Sequence, residues 1–335
     1  MCISFLKDNT MKTLKKPAAA LLLIAVTIVW GSGFTIVKLL INAGMPVGMV
    51  NMFRGFGLAL LVAVFFGKQL IKMSLREAAV GIIAGVFNAG GYLLQSAGLT
   101  MTTPSTSAFL TILNTVFVPI IAFLVYKVKP GLRLLPAILL AVVGTFFLTG
   151  MSFDNFTLGK GEWLTIGCAL CYAALIAFIG NTGKGVPSYT TAFWMGIMQG
   201  VGSLAYFFVF DGGTVGAIDW ARIILPIAYI VVLGSFFTTF AQVVSQKSID
   251  SASAAMIMTL EAVFGTLISL IAGYDKFGWR LGLGGALILA GVIIVLLPED
   301  KLPKIRFKKA AAAPGSEAVS ARNEDTDSVD GITKA

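Results

Sequence analysis

Apolar residues run through this chain in blocks of about twenty, separated by short polar or basic turns. A helix needs about 20 such residues to cross roughly 30 Å of hydrocarbon. Ten windows approach that length: Ala18–Ile41, Pro46–Phe66, Glu77–Leu99, Pro104–Val125, Leu132–Thr149, Trp163–Ile179, Tyr189–Phe210, Ile223–Gln246, Ala252–Ala272 and Trp279–Leu297. The short alternating strands that a membrane barrel requires are absent. The pattern therefore predicts an all-α integral membrane fold with ten transmembrane helices.

Composition agrees. Of 335 residues, 57% are hydrophobic and 12% charged, and the mean hydropathy is +0.90, far outside the range of soluble domains. The basic residues before Ala18 imitate a signal peptide, but the apolar run continues past Trp30 to Ile41 without a small-residue cleavage pattern. Met11 is an alternative start. Charge then fixes an expected orientation, because loops rich in Lys and Arg stay cytoplasmic. One side receives four such residues before Pro17, then Lys68, Lys72, Arg76, Lys127, Lys129, Arg133, Lys184, Lys247 and seven in the tail. The other side receives only Lys160, Arg222, Lys276 and Arg280. Both termini are expected in the cytoplasm, in a prokaryotic-type inner membrane. The net charge of +9 reports this topology and no nucleic-acid groove. After the last span, a basic juxtamembrane cluster suits anionic headgroups, and the polar remainder has the composition of a disordered tail.

Sliding the chain against itself by 147 residues, without gaps, sets Ser105–Leu148 on Ala252–Val295 with about 11 identities in 44 positions. Leu113 meets Leu260, Arg133 meets Arg280, Gly144 meets Gly291, and further back Gln95 meets Gln242. Five helices per copy, an odd number, put the copies in opposite orientations. This is the inverted-repeat plan of secondary transporters, whose sites lie near the midplane between the halves. The expected segments are 1–17, a cytoplasmic N-terminal stretch; 18–149, the first repeat; 150–162, an extracytoplasmic linker; 163–298, the second repeat; and 299–335, the cytoplasmic tail.

"VWGSGFTIVK" in the first span, the arginine of "FRGF" in the second, "TPSTSAFLTIL" leading into the fourth and "LEAVFG" with "GALILAG" in the last two resemble the drug/metabolite transporter superfamily, EamA type. The resemblance covers Ala18 to Leu297. It implies ten helices in two inverted repeats and export or exchange of small metabolites. Two positions depart from the family pattern: Ala262 stands where proline often follows the glutamate, and Val128 where the fourth-to-fifth turn is often acidic, while the second copy keeps Asp275. The first departure implies a ninth helix less prone to kink. The second removes a charge from one gate region.

Glu261 lies about ten residues into its span and therefore near the bilayer centre. Its repeat mate is Asn114. A charge at that depth costs on the order of 2.5 to 3.5 kcal/mol, so it points into a cavity, carries a proton, or ties helices together as a hydrogen-bonded group. Asn88, Tyr92 and Gln95 share one helix face, and their mates Ser235, Thr239 and Gln242 form a matching stripe, as the wall of a polar path or as interhelical glue. Phe109 and its mate Met256 are candidate apolar wall. Trp30 is the one tryptophan placed mid-span, with Phe34 and Lys38 continuing its face, although Lys38 also has the reach to snorkel outward. Arg54 sits roughly 12 Å below the membrane boundary by helix rise and suits either a substrate carboxylate or helix-end carbonyls. Pro119 is expected to bend the fourth helix.

Cys168 and Cys171 form a CxxC within a span, but the chain has no histidine and no second pair, which argues against zinc or redox work. Gly81 with Gly85, and Gly196 with Gly200, fit close helix approach. No nucleotide-binding loop is present, so no cofactor or metal is expected. A single midplane acid is also poor equipment for an intramembrane enzyme. The chain reads as a secondary-active exporter or exchanger of small organic metabolites such as amino acids, with a polyspecific drug or nucleoside exporter as the nearest rival. Expected partners are that solute and the bilayer, with a homodimer compatible and nucleic acid excluded.

Overall fold

The computed structural model describes residues 14–102, 104–149, 158–271 and 278–297. Met11, most of the 150–162 linker, Asp275 with Lys276, and the tail after Leu297 lie outside the described residues. Among the described residues, nine helices are long and apolar enough to cross a membrane, and Leu134–Leu148 is a shorter apolar helix. In chain order they are α1 (Lys16–Asn42), α2 (Val47–Leu70), α3 (Leu75–Met101), α4 (Pro104–Thr111 and Asn114–Tyr126), α5 (Leu134–Leu148), α6 (Lys160–Asn181), α7 (Ser188–Val209), α8 (Trp220–Gln246), α9 (Ser251–Met258 and Leu260–Ile271) and α10 (Trp279–Leu296). Large apolar side chains such as Leu21, Leu60, Val64, Leu135, Leu225 and Ile293 are exposed, as lipid-facing positions must be.

Helix starts follow local chemistry. Ser74 and Glu77 form a reciprocal capping box that begins α3. Glu162 accepts from the Gly159 N–H at 3.0 Å and from the Thr102 hydroxyl, so α6 begins earlier than hydropathy alone suggests and is tied to the end of α3.

The inverted symmetry is written in the closest helix crossings. On α5 and α10, a methyl added to Gly144 would meet the Gly284 carbonyl oxygen at 2.7 Å, and one added to Gly291 would meet the Ala137 oxygen at 2.7 Å. Gly144 is the repeat mate of Gly291, and Ala137 of Gly284, so one contact is the image of the other. The α2·α7 crossing repeats the device: Gly55 lies against Gly196 and Gly200, and Gly196 against Gly55 and Ala59. Backbones meet directly here because small residues leave no side chain between them, which is how helices associate where lipid offers no hydrophobic drive. Gly81 and Gly85 of α3 give the same access to Trp194 and Met198 of α7.

At one end of the bundle, Asp211, just after α7, accepts from the Gly48 N–H of α2 at 2.7 Å. It thus caps a helix to which it does not belong. Burial pushes its carboxyl above the usual range, and the Gly48 bond offsets part of that. A carboxyl with a raised folded pKa favours the fold in its neutral form, so this contribution is present at low pH and fades as pH rises through the folded value. Asp211→Asn, which keeps an acceptor but cannot ionise, should flatten the pH dependence of melting in detergent. Asp211→Ala should lower stability by about 0.5–2 kcal/mol through loss of the cap.

Candidate functional site

Seven helices, α1, α2, α3, α4, α6, α8 and α9, line a partly open cavity of about 800 Å³, the space at its mouth included, to which both repeats contribute. A smaller cavity of about 310 Å³ adjoins it between α1, α4 and α9. Asn114 and Glu261 line both and so stand on the partition between them.

Their position follows from two helix breaks. In α4 the regular bonding lapses at Ile112 and Leu113, where the Leu113 N–H bonds to the Leu110 oxygen and the Thr115 N–H to the Ile112 oxygen, three residues back in each case. In α9 the lapse falls at Thr259, whose N–H and hydroxyl both turn back to the Met256 oxygen. Ile112 and Thr259 are repeat mates. The ninth helix therefore does break, without a proline at Ala262, at a threonine whose hydroxyl also bonds the Met256 carbonyl. Pro119, expected to bend α4, lies inside the regular half Asn114–Tyr126, past the break. Asn114 opens the second half of α4, and Glu261 lies in the first turn of the second half of α9. Among the described residues Glu261 makes no ion pair.

Arg54 is the second charged group of the cavity wall and is 5% exposed. Its Nε donates to Ser235 Oγ and its Nη2 to the Gly234 oxygen, each at 3.3 Å. Its guanidinium carbon sits 4.1 Å from the centre of the Tyr92 ring. Gly234 and Ser235 are available because α8 widens into a π-helical turn over Val232–Phe237. Such turns leave a carbonyl off the regular ladder and recur at functional sites. The repeat-mate stretch of α3 is regular α-helix.

A family model described as EamA-like transporter family matches residues 17–150 and 159–297. The chain belongs to this EamA-like transporter family. A protein of Archaeoglobus fulgidus described as "Uncharacterized transporter" is 31% identical over 300 residues, covering 88% of this chain and 91% of that protein. A solved crystal structure superposes with a TM-score of 0.67 at 15% identity, covering 84% of this chain and 96% of that one, and it speaks for the fold alone. The chain is accordingly a multi-pass membrane transporter of two inverted five-helix repeats, not an enzyme.

Within this EamA-like transporter, most residues singled out from sequence converge on the main cavity: Trp30, Phe34, Arg54, Asn88, Tyr92, Gln95, Asn114, Gln242 and Glu261. Asn88 also donates to Gln199 of α7 at 2.8 Å, so it is wall and interhelical tie at once. The indole N–H of Trp30 is buried with no acceptor among the described residues. Ser235 supports Arg54 and does not line the cavity itself. Thr239 is buried and off the lining, Met256 packs with Ile112, Ala137 and Ala141, and Phe109 stacks edge-on against Phe146. Lys38 is also off the lining and donates to the Leu99 oxygen in the last turn of α3 at 2.9 Å, a cation completing a helix C-terminus.

Sequence reasoning missed Tyr172 and Tyr229, both of which face the cavity. Tyr229 shares a 2.6 Å hydrogen bond with Ser32 of α1, and Tyr172 packs edge-on to Tyr92. A tyrosine within an apolar span was the available signal, since its hydroxyl needs a partner there.

Proposed function

We propose that this protein is a secondary-active transporter that carries small organic metabolites, amino acids among them, through the cavity between its repeats by alternating access. The observation that supports it most is the pairing of Asn114 with Glu261 beside repeat-matched breaks in α4 and α9. Breaks at the same depth in both copies give each repeat a hinge at the wall of the cavity, and half-helices of this kind carry the sites of known transporter folds. The aromatic wall and the few polar groups suit a small amphipathic solute such as an amino acid. The aromatic side chains Trp30, Phe34, Tyr92, Tyr172 and Tyr229 favour, as a second reading, flat apolar drugs or nucleosides. The distribution of Lys and Arg supports an inner-membrane location with both termini cytoplasmic, and anionic lipid at the basic tail.

Counterflow in proteoliposomes loaded with a mixture of L-amino acids tests the reading. Uptake of labelled solute should depend on internal solute, and the solute should return unchanged. Gln95→Leu should reduce uptake about tenfold, a loss of about 1.4 kcal/mol, whereas Leu93→Ala should leave it within twofold. Asn88→Leu should reduce uptake as well and also lower the melting temperature, since it leaves buried Gln199 without its donor. Equal uptake in Gln95→Leu and Leu93→Ala would reduce the polar stripe to packing.

A further inference from the structure

We infer that Arg54 is a carboxylate clamp, held ready by the π-helical turn of α8 and the Tyr92 ring, and that the transported solutes are acids or zwitterions. The inference rests on the proposed transport through this cavity and names the class of solute it takes.

A guanidinium has two forks of parallel N–H groups. The side fork combines Nε with the nearer proton of Nη2, and the end fork combines Nη1 with the other proton of Nη2. In this protein the side fork is occupied by Ser235 Oγ and the Gly234 carbonyl. Both acceptors come from the one segment of α8 that leaves the regular helical ladder. The face of the group rests on Tyr92. Three constraints therefore fix the plane, the tilt and the rotation of the guanidinium. Besides these two acceptors and the neighbouring Tyr92 side chain, the guanidinium has no hydrogen-bond partner among the described residues, and Arg54 lines the cavity. No carboxylate among the described residues lies within ion-pair distance of it.

A purely structural arginine at this depth would be expected to use its charge on an acid, since carbonyl and hydroxyl acceptors leave the charge uncompensated. Glu261 lines the same cavity from α9 without reaching Arg54. The pair thus stays open, and a ligand that places a carboxylate on the end fork neutralises the cation with two parallel bonds. A ligand that also carries an ammonium group finds the second complement in Glu261. α-Amino acids meet both conditions. Cationic amines and neutral amides meet at most one.

The test uses the full chain, purified and reconstituted, with the proteinogenic L-amino acids and a phenyl series: L-phenylalanine, 3-phenylpropionate, L-phenylalaninamide and phenethylamine. Thermal shift and counterflow are read for each. Molecules with a free carboxylate should stabilise the protein and exchange, and the amide and amine should do neither. Arg54→Lys keeps the charge and loses the fork, so it should weaken the acids at least tenfold. Ser235→Ala leaves the guanidinium in place and removes one of its supports. It should weaken the acids about threefold to tenfold and leave the parent elution profile intact. That variant carries the test if Arg54→Lys does not fold. The clamp is overturned if the amide or amine performs as well as the acid, if both variants keep the parent's preference, or if no carboxylate in the panel shows binding that depends on Arg54. Failure of the transport reading looks different: acids bind with Arg54-dependent affinity but none crosses the bilayer.

Discussion

Gly55→Leu should yield no monodisperse protein, while Gly67→Leu on the same helix should purify like the parent. A side chain at Gly55 meets the backbone of α7 at Gly200 and, at 2.8 Å, the carbonyl oxygen of Gly196. Neither atom can yield without moving a helix. A side chain at Gly67 meets nothing within 4 Å. Overpacking a site of this kind costs about 3 kcal/mol, a large share of a typical domain's margin. The contact lies on a crossing between the two repeats, so its loss weakens the packing of one half on the other and does not merely loosen one of them. Size-exclusion profiles and melting curves of the two variants decide the matter. A Gly55→Leu protein that elutes and melts like the parent would mean that α2 and α7 do not touch in this way.

Glu261→Gln should lower transport at least tenfold, about 1.4 kcal/mol in the transport step, with elution and melting close to the parent. Glutamine retains the shape and hydrogen-bonding capacity at the start of the half-helix, so folding loses little. What it loses is the charge and the proton. The titratable side chains that share the cavity with Glu261 are Arg54, Tyr92, Tyr172 and Tyr229, and of these only Glu261 is a carboxylic acid. Any dependence of uptake on pH that arises within the cavity should therefore flatten in the variant. Proteoliposome uptake measured across the neutral range, at matched protein density, provides the check. Parent-like rates with a parent-like pH profile would make Glu261 a helix tie.

Much of the architecture was legible from sequence because lipid imposes one rule on every span. The apolar windows gave the helices, and the gapless offset gave the inverted copies, since Gly144 and Gly291 had to match wherever backbones meet. The cavity face of α3 was equally plain, because Asn88, Tyr92 and Gln95 follow one uninterrupted helical period. Phe109 and Met256 were misplaced for a physical reason. Each was read as apolar wall one face over from Asn114 or Glu261 by counting regular turns, yet each lies on the far side of its helix break, where three-residue bonding advances the chain by more rotation per residue. Thr239, just past the wide turn, is buried off the cavity lining, although Gln242 three residues on lines the cavity. Breaks of this kind leave weak sequence signals. A threonine whose hydroxyl can claim a carbonyl is one of them, and neither break contains a proline.

The wide turn of α8 has no counterpart in α3, although the two helices are repeat mates. Two identical inverted copies would make the inward-open and outward-open forms equal in energy, with the empty carrier divided evenly between them. If the proposed alternating access operates, this unmatched turn is one feature by which the two end states of the empty carrier differ in energy, so that the resting protein would favour one side of the membrane.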